Sequence, residues 1–197
     1  QLAAAYRRVV EALPKRDGWP LWIEVHNEPN LCYEWVCHGD VAGGWIGYQQ
    51  TAAEYASMLR DVADALHAIG DPRIKVANGG LAPGGAVSCQ CDGEGFQAGV
   101  TSQDFLREMN LAVPGIFERL DGLASHSYPA EGEGWGFFVA YDRAGPGLRY
   151  FEKELAVVGR ALPVLMTETG WTTNGEGSRD DHANWTRQAY ENLWLVD

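Results

Sequence analysis

Glu28 and Glu168 are the side chains of this sequence best placed to do proton-transfer and nucleophilic chemistry. Glu28 sits in the run Leu21-Trp22-Ile23-Glu24-Val25-His26-Asn27-Glu28-Pro29-Asn30, and Glu168 in Pro163-Val164-Leu165-Met166-Thr167-Glu168-Thr169-Gly170-Trp171. In each run a short apolar segment with the pattern of a buried strand gives way to loop residues at the glutamate. A carboxyl group there leaves a rigid element and projects into an open mouth. Two such groups facing each other are the minimum equipment for cleaving a glycosidic bond. One must donate a proton to the leaving oxygen, and the other must be ionised to attack the anomeric carbon. Burial and like charge raise a carboxyl pKa, whereas hydrogen-bond donors lower it, so the neighbours set the two protonation states.

The elements that must hold these groups follow from periodicity. Helical spacing covers 2–13, 48–69, 148–161 and 181–195, and Thr101 and Ser102 are candidate caps for a helix over 103–110, with a short helix after Pro114. Strands are expected at 21–26, 74–77, 123–127 and 164–167. Such alternation predicts an α/β fold in one domain, 1–197, with four parallel strands and flanking helices. The loops after strands are long, whereas Gly70-Asp71-Pro72-Arg73, before a strand, is short. Chemistry on the C-terminal side of the strands is the rule for such folds. No Gly-x-Gly-x-x-Gly run or phosphate-cradling lysine motif occurs, so no nucleotide or other cofactor is expected.

The chain has 197 residues, enough for one sizeable core. Its net charge of −12 and pI near 4.8 argue against phosphate-backbone binding and fit plain solubility. No apolar run is long enough to cross a bilayer, so no membrane partner is expected. The N-terminus lacks a basic-then-apolar secretion signal, but the chain opens on Gln1, straight into a helical pattern, so its true beginning is expected to have been removed or left out. Four cysteines form two close pairs, Cys32 with Cys37 and Cys89 with Cys91, all in Gly- and Trp-rich loops. Cys-x-Cys suits zinc poorly, and a bridge within that pair would be cramped. Bridges between the two loops fit better, and imply an exported protein with two disulfides, whether extracellular, periplasmic or at the cell surface.

Taken together, Asn27-Glu28-Pro29 at one strand end, His126-x-Tyr128 at a later one and Thr167-Glu168 at the next resemble glycoside hydrolase clan A, retaining glycosidases built on a (β/α)8 barrel. Asn27-Glu28-Pro29-Asn30 and Glu168-Thr169-Gly170-Trp171 look most like families 5 and 39. The resemblance implies that Glu28 is the acid/base on barrel strand four, that Glu168 is the nucleophile on strand seven, and that Asn27 hydrogen-bonds the sugar 2-hydroxyl. It also implies a partial TIM barrel, from helix 3 through helix 7. Strands one, two, three and eight, with the clan's early arginine and late tryptophan, have no counterpart. A fragment, a half-barrel completed by another chain or copy, and a truncated product without activity are the three outcomes this implies.

Around the pair, Tyr128 is either a donor that keeps Glu168 ionised or a wall aromatic. His126 points to the same side as Tyr128 and either shapes the sugar site or fills the interior. Glu24 and His26 share the face of Glu28 by alternation, and a buried polar network below the site is expected of them. Trp171 is the leading sugar-stacking platform, and Trp35, Trp45 and Trp135 lie in loops on the same side, suited to outer subsites. The expected function is retaining hydrolysis of a β-linked oligo- or polysaccharide. The alternative is an inactive carbohydrate-binding or scaffold protein. A metal site from His26, His38, His126 and the cysteines lacks any ligand spacing, and none is expected. Four parallel strands would leave two open edges, which are expected to pair with another segment or copy.

Overall fold

A computed structural model describes residues 1–35, 47–83, 88–90, 96–129, 147–171 and 178–195, except for the side chains of 88–90 and 96–98. The chain alternates helix and strand. Helix α1 (Leu2–Ala12) leads into β1 (Leu21–Val25), and α2 (Gly47–His67) into β2 (Ile74–Asn78). A hairpin of β3 (Ser88–Gln90) and β4 (Phe96–Ala98) precedes α3 (Ser102–Ala112) and a 3-10 turn, Ile116–Arg119. Then come β5 (Leu123–Ser125), α4 (Phe151–Val158), β6 (Val164–Met166) and α5 (Arg179–Ala189), which runs on into a π-helical turn, Tyr190–Trp194.

The fold is α/β, with β1 and β2 pairing in parallel, and β5 and β6 likewise. Two isolated parallel bridges, Ala77 to Gly122 and Leu81 to Ser125, join the two pairs, so the four strands stand side by side in chain order. Asn78 reinforces the join. Its side-chain amide donates to the Ala124 carbonyl at 3.0 Å and its oxygen accepts from the Ala124 N–H at 3.1 Å, imitating one more peptide of β-ladder. The central strands β2 and β5 are almost wholly buried, while β1 and β6 are half-exposed along most of their length. Among the described residues neither β1 nor β6 has a second parallel neighbour.

All four crossover-side helices lie on one face. Helix α2 packs against α1 and α3, and α3 against α4. Their apolar stripes meet Leu21, Ile23, Val25, Ile74, Val76 and Leu123 in one core, with Tyr55, Leu59, Leu66, Phe105, Leu106 and Met109 fully buried. The alternate strand residues face the other way. There Trp22 and Leu165 close over Gly122, where an added Cβ would stand 2.8 Å from the Trp22 ring and 2.7 Å from Leu165 Cδ1. A second small cluster, Leu148, Ala189 and Leu193 with Trp171 and Trp194, anchors α5.

The helices and strands fall close to their sequence-predicted spans. The hairpin does not, since 78–100 reads as loop. The last helix is also not continuous, for α5 ends at Ala189 and a π turn follows. Cys32 is buried and disulfide-bonded. The side chains of Cys37, Cys89 and Cys91 lie outside the described residues.

Candidate active site

The C-terminal ends of the strands converge on a group of polar side chains. Strand β1 stops at Val25, and the backbone then turns sharply, with His26 at φ 77° and Glu28 at φ 38°. Left-handed backbone at two non-glycine residues is costly, and persists only where the surroundings hold it. Here the Glu28 N–H donates to the Gly80 carbonyl at 3.0 Å, and the turn lies across Gly79, where a Cβ would come within 2.6 Å of the His26 carbonyl oxygen. Tyr55 of α2 clamps the same corner from behind, donating to the Val25 carbonyl (2.9 Å) and accepting from the Gly79 N–H (2.6 Å). The result aims Glu28 over the strand ends.

His126, just beyond β5 and 2% exposed, is the centre of the group. It packs so closely on Gly80 that a Cβ there would stand 2.2 Å from its Cδ2. Its Nδ1 lies 2.9 Å from Glu28 Oε1 and 3.4 Å from Glu168 Oε2. One ligand-type atom from each of Glu28, His126 and Glu168 lies within 4.8 Å of the others. One oxygen of each carboxyl thus lies within 4.8 Å of the other, close enough for both groups to reach one bound atom or bond. Tyr128 donates a short hydrogen bond to Glu168 Oε1. Thr169 holds the following residues by donating to the Ser127 carbonyl at 2.7 Å.

The electrostatics follow from these contacts. Burial by itself would lower the His126 pKa, but the facing carboxylate of Glu24, the hydrogen bond with Glu28 and the negative charges of Glu28 and Glu168 outweigh it and lift it to about 9. The Tyr128 phenol is pushed well up, first by burial and then by its bond to Glu168 and the charges of Glu168 and Glu28, so it stays a donor. Burial tends to raise Glu24, yet His126, the Gly80 N–H and the Thr167 hydroxyl pull it below its ordinary value. The Glu28 and Glu168 side chains differ in setting, 15% against 47% exposed. Glu28, His126 and Glu168 each offer one ligand atom of the kind a divalent cation takes, and a cation there would release any proton on His126 Nδ1.

The other candidate residues are distributed as follows. Asn27 is exposed at the mouth, and its side chain makes no hydrogen bond among the described residues, leaving it open to a ligand. His26 leaves the face that alternation assigns to it. The positive φ turns it toward the helices, where it meets Trp35 edge-on at 4.8 Å and Tyr55 at 6.4 Å. Trp35 is half-buried against the core, 5.7 Å from the Tyr55 ring, so it serves packing and presents little free face. Trp171 is half-buried beside Trp185 (6.3 Å) in the α5 cluster, with its ring N–H buried. Trp45, Trp135 and His38 lie outside the described residues.

The sequence reading passed over Tyr33. It is 61% exposed, and its phenol is raised by burial and then by the charges of Glu28, Glu34 and Glu168. Its signal was available: an aromatic five residues after Glu28 in a loop at the strand end. Compared with protein-family models and with curated proteins, the sequence matches none.

Proposed function

We propose that this chain carries the catalytic site of a retaining glycoside hydrolase acting on a β-linked oligo- or polysaccharide. The supporting observation is the convergence of Glu28 and Glu168 from distant strand ends, their carboxyl oxygens close together beside His126 and Tyr128. In this reading Glu168, held by the Tyr128 hydroxyl, attacks the anomeric carbon while Glu28 protonates the departing glycosidic oxygen. A glycosyl ester on Glu168 results. Glu28, now ionised, takes a proton from water as that water attacks the ester, which releases the sugar with its original anomeric configuration and restores both groups. Asn27 faces the sugar, and Tyr33 offers it an exposed ring.

The wider reading follows from the same placement. Four parallel strands in chain order, with their helices on one side, correspond to strands four to seven of a (β/α)8 barrel, as the likeness to clan A implies. The half-exposed β1 and β6 would pair with further strands from another segment or copy. Export and two inter-loop disulfides belong to the same proposal.

The open edges also favour a second reading, a carbohydrate-binding protein that keeps the groove without turnover. A panel of aryl β-glycosides, with a polysaccharide-binding assay alongside, separates the two. The first reading predicts hydrolysis by the parent and its loss in Glu168→Gln with sugar binding retained. Equal rates for parent and variant would remove Glu168 from its role. Binding by a parent that never hydrolyses would establish the second.

A further inference from the structure

Glu24, on β1, lies behind the imidazole of His126. Its Oε1 accepts from the Gly80 N–H at 2.7 Å and from the Thr167 hydroxyl at 3.0 Å, and stands 3.8 Å from His126 Nε2. Three separate segments therefore fix this one carboxylate: β1 itself, the residues after β2 and the end of β6. The opposite nitrogen, Nδ1, faces Glu28 and Glu168. Glu24, already the acceptor of two hydrogen bonds, faces Nε2 at ion-pair range. Nδ1 lies within 3.4 Å of both Glu28 and Glu168, of which Glu168 is the ionised one. A proton on each ring nitrogen therefore sets a positive charge between ionised carboxylates on both sides. Gly80, by lacking a Cβ, lets the ring settle into this position.

We propose that Glu24 is a positioning residue: anchored by Gly80 and Thr167, it holds His126 as an imidazolium whose Nδ1–H stands between the two carboxyls of the site. The cation is then a fixed part of the site, beside Glu168 while Glu168 is the ionised partner and beside Glu28 once Glu28 has given up its proton. No proton need leave His126 in either step. The catalytic consequence rests on the glycosidase reading, whereas the charge state of His126 does not. The rise of its pKa to about 9 agrees with this geometry. The titratable groups that bear on the ring are Glu24 on β1, Glu28 in the turn after it, Glu168 after β6, and Glu154 on α4, whose own ionisation feels the charge of His126. Tyr128 is committed to Glu168.

The test is an NMR titration of the His126 imidazole in the parent, Glu24→Gln and Glu24→Asp. Glutamine keeps the size of the side chain and an acceptor for Gly80 and Thr167, but removes the charge. Its His126 midpoint is expected to fall by about one pH unit or more, the effect of losing a close opposite charge. Aspartate should restore most of the difference. The alkaline limb of kcat/KM should move with the midpoint. Should Glu24→Gln fail to fold, Thr167→Val decides instead. It removes one anchor at an exposed position and should lower the midpoint by a smaller amount. A midpoint unchanged from the parent in the variant that decides overturns the proposal. A lowered midpoint in a protein that hydrolyses no glycoside would leave the proposal standing and remove the catalytic reading.

Discussion

At the residue scale, the hydrogen bond from Tyr128 to Glu168 is the contact whose removal is easiest to interpret. Tyr128→Phe keeps the ring and deletes one donor to a carboxylate, an interaction of about 1.5–3 kcal/mol. The expected result is a fall in kcat of roughly 10- to 100-fold with little change in KM, read from steady-state kinetics on an aryl glycoside. Tyr33→Ala should do the reverse, raising KM by several-fold and sparing kcat, because Tyr33 is exposed, feels the charges of Glu28 and Glu168, and is hydrogen-bonded to neither among the described residues. The meeting of Glu28, Glu168, His126 and Tyr128 was legible in the sequence, because each sits where an apolar strand pattern stops. The surroundings of His26 were not. Period-two alternation holds only while the backbone stays extended, and φ turns positive at His26. Trp35 and Trp171 were hard to judge for a different reason. An indole in a loop suits a sugar and a core equally well, and the tertiary packing decides which neighbours claim it.

At the scale of elements, the ends of β1 and β2 depend on Tyr55. Tyr55→Phe strips the Gly79 N–H of its acceptor and the Val25 carbonyl of a donor in a fully buried setting. A loss of about 1–3 kcal/mol in unfolding free energy is expected from urea titration. Helix α4 carries a second sensitive point. Glu154 is 1% exposed, and neither of its carboxyl oxygens has a hydrogen-bond partner among the described residues. Burial raises its pKa to about 7, offset only in part by the nearby Ser125 and Ser102 hydroxyls and the charge of His126. The folded state therefore holds this proton more tightly than the unfolded chain, and stability falls as pH rises from about 4.5 through 7. Glu154→Gln should flatten that slope and leave the variant the more stable form at pH 8, by on the order of 2 kcal/mol in urea melts. Most elements were readable because long amphipathic helices such as α2 repeat their pattern many times. The β3–β4 hairpin was not, since three-residue strands in a glycine-rich stretch carry too little alternation to register.

At the scale of the whole molecule, two features act together. His126 is raised to about 9, so its contribution to stability is complete below about 6.5 and disappears as pH rises through 9. It adds to the decline from Glu154, and the fold should be firmest under mildly acidic conditions. The second feature is the pair of half-exposed strands, β1 and β6. If they seek partners, the isolated chain should run in light scattering at a mass above its 21.6 kDa. A stable monomer at high concentration would show that these edges are tolerated bare. The parallel strand order was legible from the alternation of elements and from the lopsided loops, which are long after strands and short before them. What covers the edges was not, because unpaired backbone leaves no mark in side-chain pattern.

Covalent trapping tests the central claim most directly. Incubation with a panel of 2-deoxy-2-fluoro aryl β-glycosides, followed by intact-mass and peptide mass spectrometry, reads the nucleophile by its adduct. A single glycosyl adduct is expected on the peptide containing Glu168, and none in Glu168→Gln. An adduct on another residue, or turnover of unfluorinated glycosides to a product of inverted configuration, would contradict the pairing of Glu28 and Glu168 as a retaining site.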